Sequence, residues 1–221
     1  MNDAPKTPSD GRPVDWRNKP TDRFLLWAIK RYLSAPVTLA LRRVPGVTPA
    51  AVTVTAAVTA VAAGVILALG WAWQAGCVAL VAQVLDGVDG QLARLRGRSS
   101  PAGAYLDSVL DRYADGALTL GTAVYVLQTP PWGLPLWALG VVAFLAVVGS
   151  AAVSYTAARG AELGFAPGRP TLASKGTRVA VIIICAWLAA VWPPAPALAL
   201  AYLAVHANGV VAARLVRALK A

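Results

Sequence analysis

Charged residues are scarce in this chain, and so is cysteine. Only 14% of the 221 residues are charged and 57% are apolar, whereas about 25% of a soluble protein is charged. Cys77 and Cys185 both lie inside apolar runs, with neither the spacing of a disulfide framework nor that of a zinc site. These shortages argue against a soluble domain and against one stabilised by disulfides or zinc.

Long apolar segments take the place of charge from residue 49 onward. Each is about 20 residues long, enough to cross the hydrocarbon core of a bilayer, and glycine or proline residues separate them. The buried helices of a large soluble domain, the alternative, are usually shorter and carry a polar stripe. The pattern predicts an all-α integral membrane protein with six transmembrane helices at about 49–70, 73–95, 103–128, 134–158, 176–192 and 195–216.

The segment before these helices is polar at first and then mixed. Residues 1–20 are rich in proline, aspartate and basic residues, which is typical of a flexible tail. Residues 21–45 are interpreted as an interfacial amphipathic helix, with its apolar side toward lipid and basic residues such as Lys30 and Arg31 toward headgroups. Pro36 is expected to kink or interrupt this helix. Residues 46–221 would then form the transmembrane domain.

The net charge of +10 does not point to nucleic acid, because the basic residues gather in the tail and in alternate loops. The connections near residues 71–73, 129–133 and 193–195 contain no lysine or arginine. By the positive-inside rule, both termini and the basic loops lie in the cytoplasm of a plasma-membrane protein. The basic loops and C-terminus contain Arg94, Arg96, Arg98, Arg159, Arg169, Lys175, Arg178, Arg214, Arg217 and Lys220.

Five of the ten acidic residues fall within the second and third predicted spans: Asp86, Asp89, Asp107, Asp111 and Asp115. Ionisable groups inside membrane spans are costly and usually functional. Asp86 and Asp89 are three residues apart, and Asp107 and Asp111 are four apart, so each pair shares one helix face. Because a short loop joins the two helices, they run antiparallel and the pairs can face each other near the cytoplasmic end.

Four converging carboxylates would repel one another unless cations neutralised them. Oxygen ligands of this kind suit Mg²⁺ or Mn²⁺, especially when substrate phosphates complete the shell. The alternative, in which the aspartates only pair with nearby arginines, does not explain why all lie at a similar depth. Gly87 and Gly90 accompany the first pair and could give a nucleotide diphosphate access to the backbone, or serve tight helix packing.

The positions of these residues form a longer pattern: Asp86-x-x-Asp89-Gly90-x-x-Ala93-Arg94, eight residues, Gly103, three residues, Asp107, three residues and Asp111. This pattern resembles the complete signature of the CDP-alcohol phosphotransferase family. All eight fixed positions match across 26 residues, and the resemblance covers most of residues 45–215. The family's six spans, with the signature on spans two and three, agree with the expected topology.

The resemblance implies an activity and a role for each signature residue. The enzyme would transfer a phosphoalcohol group from a CDP-linked donor to an acceptor hydroxyl and release CMP, in phospholipid biosynthesis. Two divalent ions, Mg²⁺ or Mn²⁺, would be held by Asp86, Asp89, Asp107 and Asp111, with Asp111 also the general base. The resemblance assigns the CDP donor to Gly90, Ala93, Arg94 and Gly103. Family members often dimerise, so the resemblance also implies a homodimer.

Two positions near the signature are less defined. Asp115 lies four residues beyond Asp111 and could orient a ligand or pair with an arginine. Where family members often have Asn or Asp after a proline before the first span, this chain has Ala50 after Pro49. Because alanine removes a polar contact, no nucleotide-base contact is assigned there.

Basic residues on the same side of the membrane are candidates for binding a phosphorylated acceptor. Arg159, Lys175 and Arg178 could hold a phosphate, the arginines by bidentate contact and the lysine as a point charge, or could simply anchor the protein to headgroups. The stretch from Ser154 to Arg159, with the Lys-x-x-Arg entry to span five, resembles members that use inositol phosphate. Inositol phosphate is therefore the expected acceptor.

Other activities remain open at this point. The same chemistry could use glycerol 3-phosphate as acceptor or CDP-inositol as donor. An intramembrane prenyltransferase also binds a diphosphate through two aspartate motifs, but those motifs are usually further apart in sequence. A cation transporter would place ionisable groups near mid-membrane and on both sides, whereas here they gather on one side. His206, alone in span six, is interpreted as a packed residue rather than a ligand.

Overall fold

The computed structural model describes residues 27–165 and 174–220. The expected tail, the beginning of the expected interfacial helix and Arg169 lie outside the described residues. The helical segments of the described part are α1 (Ile29–Ser34 as a π-helix, then Ala35–Leu41 as an α-helix), α2 (Pro49–Ala68), α3 (Ala72–Leu95), α4 (Pro101–Gln128), α5 (Leu136–Glu162), α6 (Lys175–Leu188) and α7 (Ala195–Tyr202, the π-helical turn Leu203–Ala207, and Asn208–Ala218), with a short 3₁₀ helix, Pro131–Gly133, between α4 and α5.

Each of the six predicted spans is helical, and its ends differ from the prediction by at most four residues. Among the described residues, three helices are both long and apolar enough to cross a membrane: Pro49–Ala68, Leu136–Glu162 and Ala195–Ala218. The charged residues of α3 and α4 make them less apolar, and α6 has only 14 residues. The all-α, membrane-type fold is therefore confirmed, and the six crossings remain a prediction.

Helices α2 and α4 begin in the same way. The side chain of Thr48 accepts a hydrogen bond from the backbone N–H of Ala51 at 3.1 Å, and Ser100 accepts one from Gly103 at 3.1 Å. A proline follows each of these caps, because the first helical position needs no N–H donor. The cap at Ser100 fixes the first turn of α4, and the aspartates of the signature follow one and two turns later.

Glycines allow α2 and α4 to approach backbone to backbone. A Cβ atom at Gly121 would overlap the carbonyl oxygen of Gly64, and one at Gly64 would overlap the carbonyl oxygen of Ala117. Small residues give membrane helices this close contact. The crossing holds α4 firmly against α2, whose first turns form part of the wall around the candidate site.

Helix α1 packs against α3 through its polar side. Ser34 Oγ donates to the carbonyl oxygen of Val84 at 2.9 Å, and Thr38 Oγ1 donates to Gln91 Oε1 at 2.7 Å. Lys30 lies on the same side and is only 6% exposed. The expectation that Lys30 faces headgroups is therefore wrong, because α3 supplies polar partners that draw the polar side of α1 inward.

Pro36 marks a change of helix type rather than a break. The π-helical turn comes just before it, with the N–H of Ala35 bonded to the carbonyl oxygen of Lys30, and Ser34 and Ala35 keep helical backbone angles. A proline ring clashes with the carbonyl four residues earlier in a regular α-helix. The wider turn ahead of Pro36 accommodates the ring while the chain stays helical.

Candidate active site

Three aspartates from two helices converge at one end of the bundle. Asp86 of α3 and Asp107 and Asp111 of α4 each place a carboxylate oxygen within 4.8 Å of the others. Asp111 is buried, and the other two are half-buried. The convergence predicted from the spacing of the aspartates is present for these three residues.

The cluster concentrates negative charge. Two unit charges about 5 Å apart repel by roughly 3 kcal/mol at the effective dielectric of a protein site. Lys175, the first residue of α6, offsets part of this repulsion: its Nζ lies 2.5 Å from Asp86 Oδ1 and also pairs with Asp111. Arg112, whose side chain is 40% exposed, also lies 3.6 Å from Asp111 Oδ2. These two cations face three carboxylates, so the cluster favours a further positive charge.

The chemistry of the donor atoms fits a divalent metal. Carboxylate oxygens are the ligands that Mg²⁺ and Mn²⁺ prefer, and here they already attract the ammonium of Lys175. The fourth predicted ligand, Asp89, is 7% exposed and lines the cavity beside the cluster, and its Oδ1 accepts a hydrogen bond from the N–H of Gly90 at 2.5 Å. Among the described residues, the tight group contains Asp86 but not Asp89.

A cavity of about 540 Å³ opens beside the carboxylates, a size typical of a ligand pocket. The residues predicted to contact the donor all line it, together with all four signature aspartates: Gly90, Ala93, Arg94, Gly103, Asp86, Asp89, Asp107 and Asp111. Thr48 and Ala50 at the start of α2 also line this cavity. The signature thus forms one continuous surface, although contact with a donor stays a prediction.

Gly87 and Gly103, each near a signature aspartate in sequence, differ in their surroundings. A Cβ atom at Gly87 would lie 2.5 Å from Ser34 Oγ and 3.4 Å from Lys30 Cγ, so this glycine serves the packing of α1 against α3. A Cβ atom at Gly103 would meet only Ser100 Oγ, at 3.3 Å. Of the two uses considered for glycine near Asp86, helix packing is the one that holds for Gly87.

The three basic residues proposed for the acceptor each have an acidic partner. Arg159 pairs with Glu162 at 2.7 Å on the exposed end of α5, and Lys175 pairs with two of the clustered carboxylates. Of the three, Lys175 lines the large cavity, and Arg159 and Arg178 are not among its lining residues. Arg178 pairs with Asp115, and both side chains are at least nine-tenths buried. Of the two roles considered for Asp115, orienting a ligand or pairing with an arginine, this contact favours the pairing.

Two basic residues near the site have contacts that sequence reasoning missed. Arg96 donates to the carbonyl oxygens of Leu41 at 2.7 Å and Val44 at 3.2 Å, and also to those of Arg42 and Val47. It therefore satisfies the unpaired carbonyls at the end of α1 and fixes the loop that leads to Thr48. The second is Lys30, which lines the cavity. From the sequence alone, Arg96 is interpreted only as a charge in a basic loop and Lys30 only as a charge facing headgroups.

His206 lies away from the carboxylate cluster, on α7. Its ring stacks on that of Tyr202, with the ring centroids 5.2 Å apart. In the described part of the chain, the grouped candidate metal ligands are the three aspartates. The stacking agrees with the interpretation of His206 as a packed residue.

Comparison with known proteins agrees with this geometry. The family model for CDP-alcohol phosphatidyltransferase matches residues 46–213. The chain belongs to the CDP-alcohol phosphatidyltransferase family. Members of this family are enzymes that transfer groups from CDP-alcohols. Membership therefore excludes both the intramembrane prenyltransferase and the cation transporter considered from the sequence.

Two curated relatives illustrate the similarity within the CDP-alcohol phosphatidyltransferase family. A phosphatidylinositol phosphate synthase of Mycobacterium marinum is 31% identical over 187 residues, covering 82% of this chain and 77% of that protein. A bifunctional IPC transferase and DIPP synthase of Thermococcus kodakarensis is 41% identical over 85 residues, or 38% of this chain. The chain spans only 18% of the length of the Thermococcus protein.

Solved structures show the same fold. Phosphatidylinositol phosphate synthase of Mycobacterium tuberculosis with CDP-DAG bound superposes with a TM-score of 0.71 at 26% identity, covering 83% of this chain and 92% of that one. A second crystal structure of that protein contains manganese and citrate. Together with the three clustered aspartates, the manganese complex supports use of a divalent metal by this family member.

Proposed function

We propose that this protein transfers a phosphoalcohol group from a CDP-linked lipid donor to a hydroxyl of inositol phosphate, with release of CMP. The observation that carries the proposal is the joining of the carboxylate cluster to a cavity lined by the whole signature. The relatives named as phosphatidylinositol phosphate synthases support inositol phosphate as the acceptor.

The reaction is an attack of the acceptor oxygen on the phosphorus that carries the donor's alcohol. A new P–O bond forms to the acceptor, and the P–O bond to CMP breaks as CMP leaves with the electron pair. Asp111 takes the proton from the attacking hydroxyl as general base. Asp111 lines the cavity, and its pair with Lys175 fixes its carboxylate there.

We propose that Asp86, Asp89, Asp107 and Asp111 hold two divalent ions against the donor diphosphate. When bound, the ions would neutralise the diphosphate and stabilise CMP as a leaving group. The positions of Asp86, Asp107 and Asp111 support this arrangement, and Asp89 lines the same cavity. Gly90, Ala93, Arg94 and Gly103 would hold the rest of the CDP group along the cavity.

For the acceptor phosphate, we propose Arg159, Lys175 and Arg178. Lys175 is the best supported of the three, because its ammonium already lies beside the proposed base. If Asp86 and Asp111 held a metal, the ammonium of Lys175 would be available to an anionic acceptor beside the attacking hydroxyl. Arg178 would act from its buried pair with Asp115, and Arg159 from the exposed end of α5.

The membrane arrangement belongs to the same proposal. Six spans with both termini and the active site in the cytoplasm would place the aspartate cluster beside the inner leaflet of the plasma membrane, where a lipid donor is available. The distribution of basic residues supports this orientation. We also propose a homodimer, as the resemblance implies, and assign no interface to it.

The test is a matrix of substrates. Purified protein with Mn²⁺ would be supplied with CDP-diacylglycerol or CDP-inositol, each together with inositol phosphate or glycerol 3-phosphate, and CMP would be measured. The proposal predicts the fastest CMP release with CDP-diacylglycerol and inositol phosphate. Faster release with glycerol 3-phosphate or CDP-inositol would overturn the substrate assignment and leave the transferase chemistry in place.

A further inference from the structure

Lys30 and Arg31 are neighbours in α1 but point to opposite sides of the helix. Arg31 is exposed, and its guanidinium carbon lies 5.3 Å from the ring centroid of Trp27. Lys30 is 94% buried, because only 6% of its surface is exposed. A lysine is almost never buried to this extent unless it is paired, so polar or charged groups must surround its side chain.

The backbone at Lys30 is fixed from two directions. Its carbonyl oxygen accepts the π-helical hydrogen bond from the N–H of Ala35 and a second one from Gln91 Nε2 at 3.0 Å. Single π-helical turns inside helices are frequent at functional sites. The wider turn and the bond from α3 together fix the point from which the lysine side chain starts.

The stem of Lys30 passes beside Gly87 of α3. A Cβ atom added at Gly87 would lie 3.4 Å from Lys30 Cγ, an ordinary van der Waals contact. Beyond that point Lys30 lines the 540 Å³ cavity, as do Asp86, Asp89 and Gly90 of α3. The interfacial helix therefore contributes a cation to the wall of the proposed donor pocket.

The charge of the pocket bears on how a CDP donor would bind beside Lys30. A CDP donor brings a diphosphate anion to a wall that already contains four carboxylates. Lys175 lies on the α6 side of the cluster, between Asp86 and Asp111, whereas Lys30 approaches from α1. An ammonium is a compact point charge that suits phosphate oxygens.

We infer that Lys30 is a donor-binding residue, whose ammonium contacts a phosphate of the CDP-linked donor across Gly87. This inference rests on the proposed function and adds to it a residue outside the signature. It makes α1 a wall of the active site as well as a surface anchor, so that docking of α1 on α3 completes the donor pocket.

The test compares Lys30→Met, Lys30→Gln and Lys30→Arg with Arg31→Met, which removes the neighbouring exposed charge. KM for CDP-diacylglycerol and for inositol phosphate would be measured in Mn²⁺, together with calorimetric binding of CDP. Removal of a charged hydrogen bond to phosphate should raise the donor KM and the Kd of CDP about tenfold. The acceptor KM should change less than twofold, Lys30→Arg should recover most of the loss, and Arg31→Met should match the wild type.

A charge contact also produces a salt dependence that a purely structural role lacks. The donor KM of the wild type should rise with ionic strength more steeply than that of Lys30→Met or Lys30→Gln. Equal salt dependence, equal effects on donor and acceptor, or CDP binding as tight as in the wild type would overturn the inference. If Lys30→Met does not fold, Lys30→Gln and Lys30→Arg decide the matter by the same measurements.

The CDP-binding arm separates this inference from the proposed function. Wild-type protein that binds CDP but releases no CMP from any donor would refute the proposed reaction. The comparison of CDP affinities among the Lys30 variants would still decide the role of Lys30.

Discussion

The buried pair between Arg178 and Asp115 predicts a large and specific effect on stability. The exposed fractions of the two side chains are 4% and 8%, and Asp115 Oδ1 has no hydrogen-bond partner among the described residues. Replacing Asp115 by Leu leaves the guanidinium of Arg178 without this partner, and replacing Arg178 by Met leaves the carboxylate without its cation. Either single change should therefore destabilise the protein.

The expected magnitude follows from the burial. Breaking a buried ion pair by removing one partner costs about 3–5 kcal/mol, whereas replacing both by apolar residues of similar size is often neutral or stabilising. At about 2–4 °C per kcal/mol for a protein of this size, each single variant should lose about 6–20 °C in Tm. The double variant Asp115→Leu with Arg178→Met should return close to the wild-type Tm.

The assay is thermal unfolding of the purified protein in one detergent, with all variants measured side by side. Glu162→Gln is the matched control, because it removes the exposed pair with Arg159, and exposed pairs contribute only about 0–1 kcal/mol. Single variants within 1 kcal/mol of the wild type would refute the reasoning, as would a double variant as unstable as the two singles combined. A stable double variant with an impaired acceptor KM would separate the proposed substrate role of Arg178 from its role in stability.

Three further predictions concern packing, loop position and the base. Gly121→Ala should destabilise the protein more than Gly87→Ala in thermal unfolding, because the new Cβ atom at 121 would meet backbone, whereas the one at 87 would meet side chains of α1. Gly116→Ala, which has open space around it, is the control and should be neutral or stabilising. Arg96→Gln should raise hydrogen exchange across residues 41–48, because carbonyl contacts of that loop are lost; unchanged exchange would contradict the assigned contacts. Asp111→Asn should abolish turnover while the protein still binds CDP-diacylglycerol; near-normal turnover would exclude its role as base.

Much of the fold could be predicted from the sequence because apolar segments and turn residues report helix length directly. The helix boundaries agree with the predicted spans to within four residues. The orientation of α1 could not be predicted in this way. Its polar residues at positions 30, 34 and 38 face α3, and the partners that make this favourable, such as Gln91, are distant in sequence.

The candidate site shows the same division. The spacing of Asp86, Asp107 and Asp111 was enough to predict their convergence, because helical periodicity places them on facing sides of adjacent helices. The partners of Lys175 and Arg178 were not predictable, since they depend on how α6 packs against α3 and α4. Long-range pairs of this kind are set by tertiary packing, which a single sequence does not encode as a local pattern.

The most direct test of the central claim is metal-dependent release of CMP. Wild-type protein supplied with CDP-diacylglycerol and inositol phosphate should release CMP in Mn²⁺, lose that activity in EDTA and regain it when Mn²⁺ is restored. Asp107→Asn should remain inactive under all three conditions, while Glu162→Gln should behave as the wild type. Activity that persists in EDTA or in Asp107→Asn would contradict the claim, as would no CMP from any CDP-linked donor in a preparation that binds Mn²⁺.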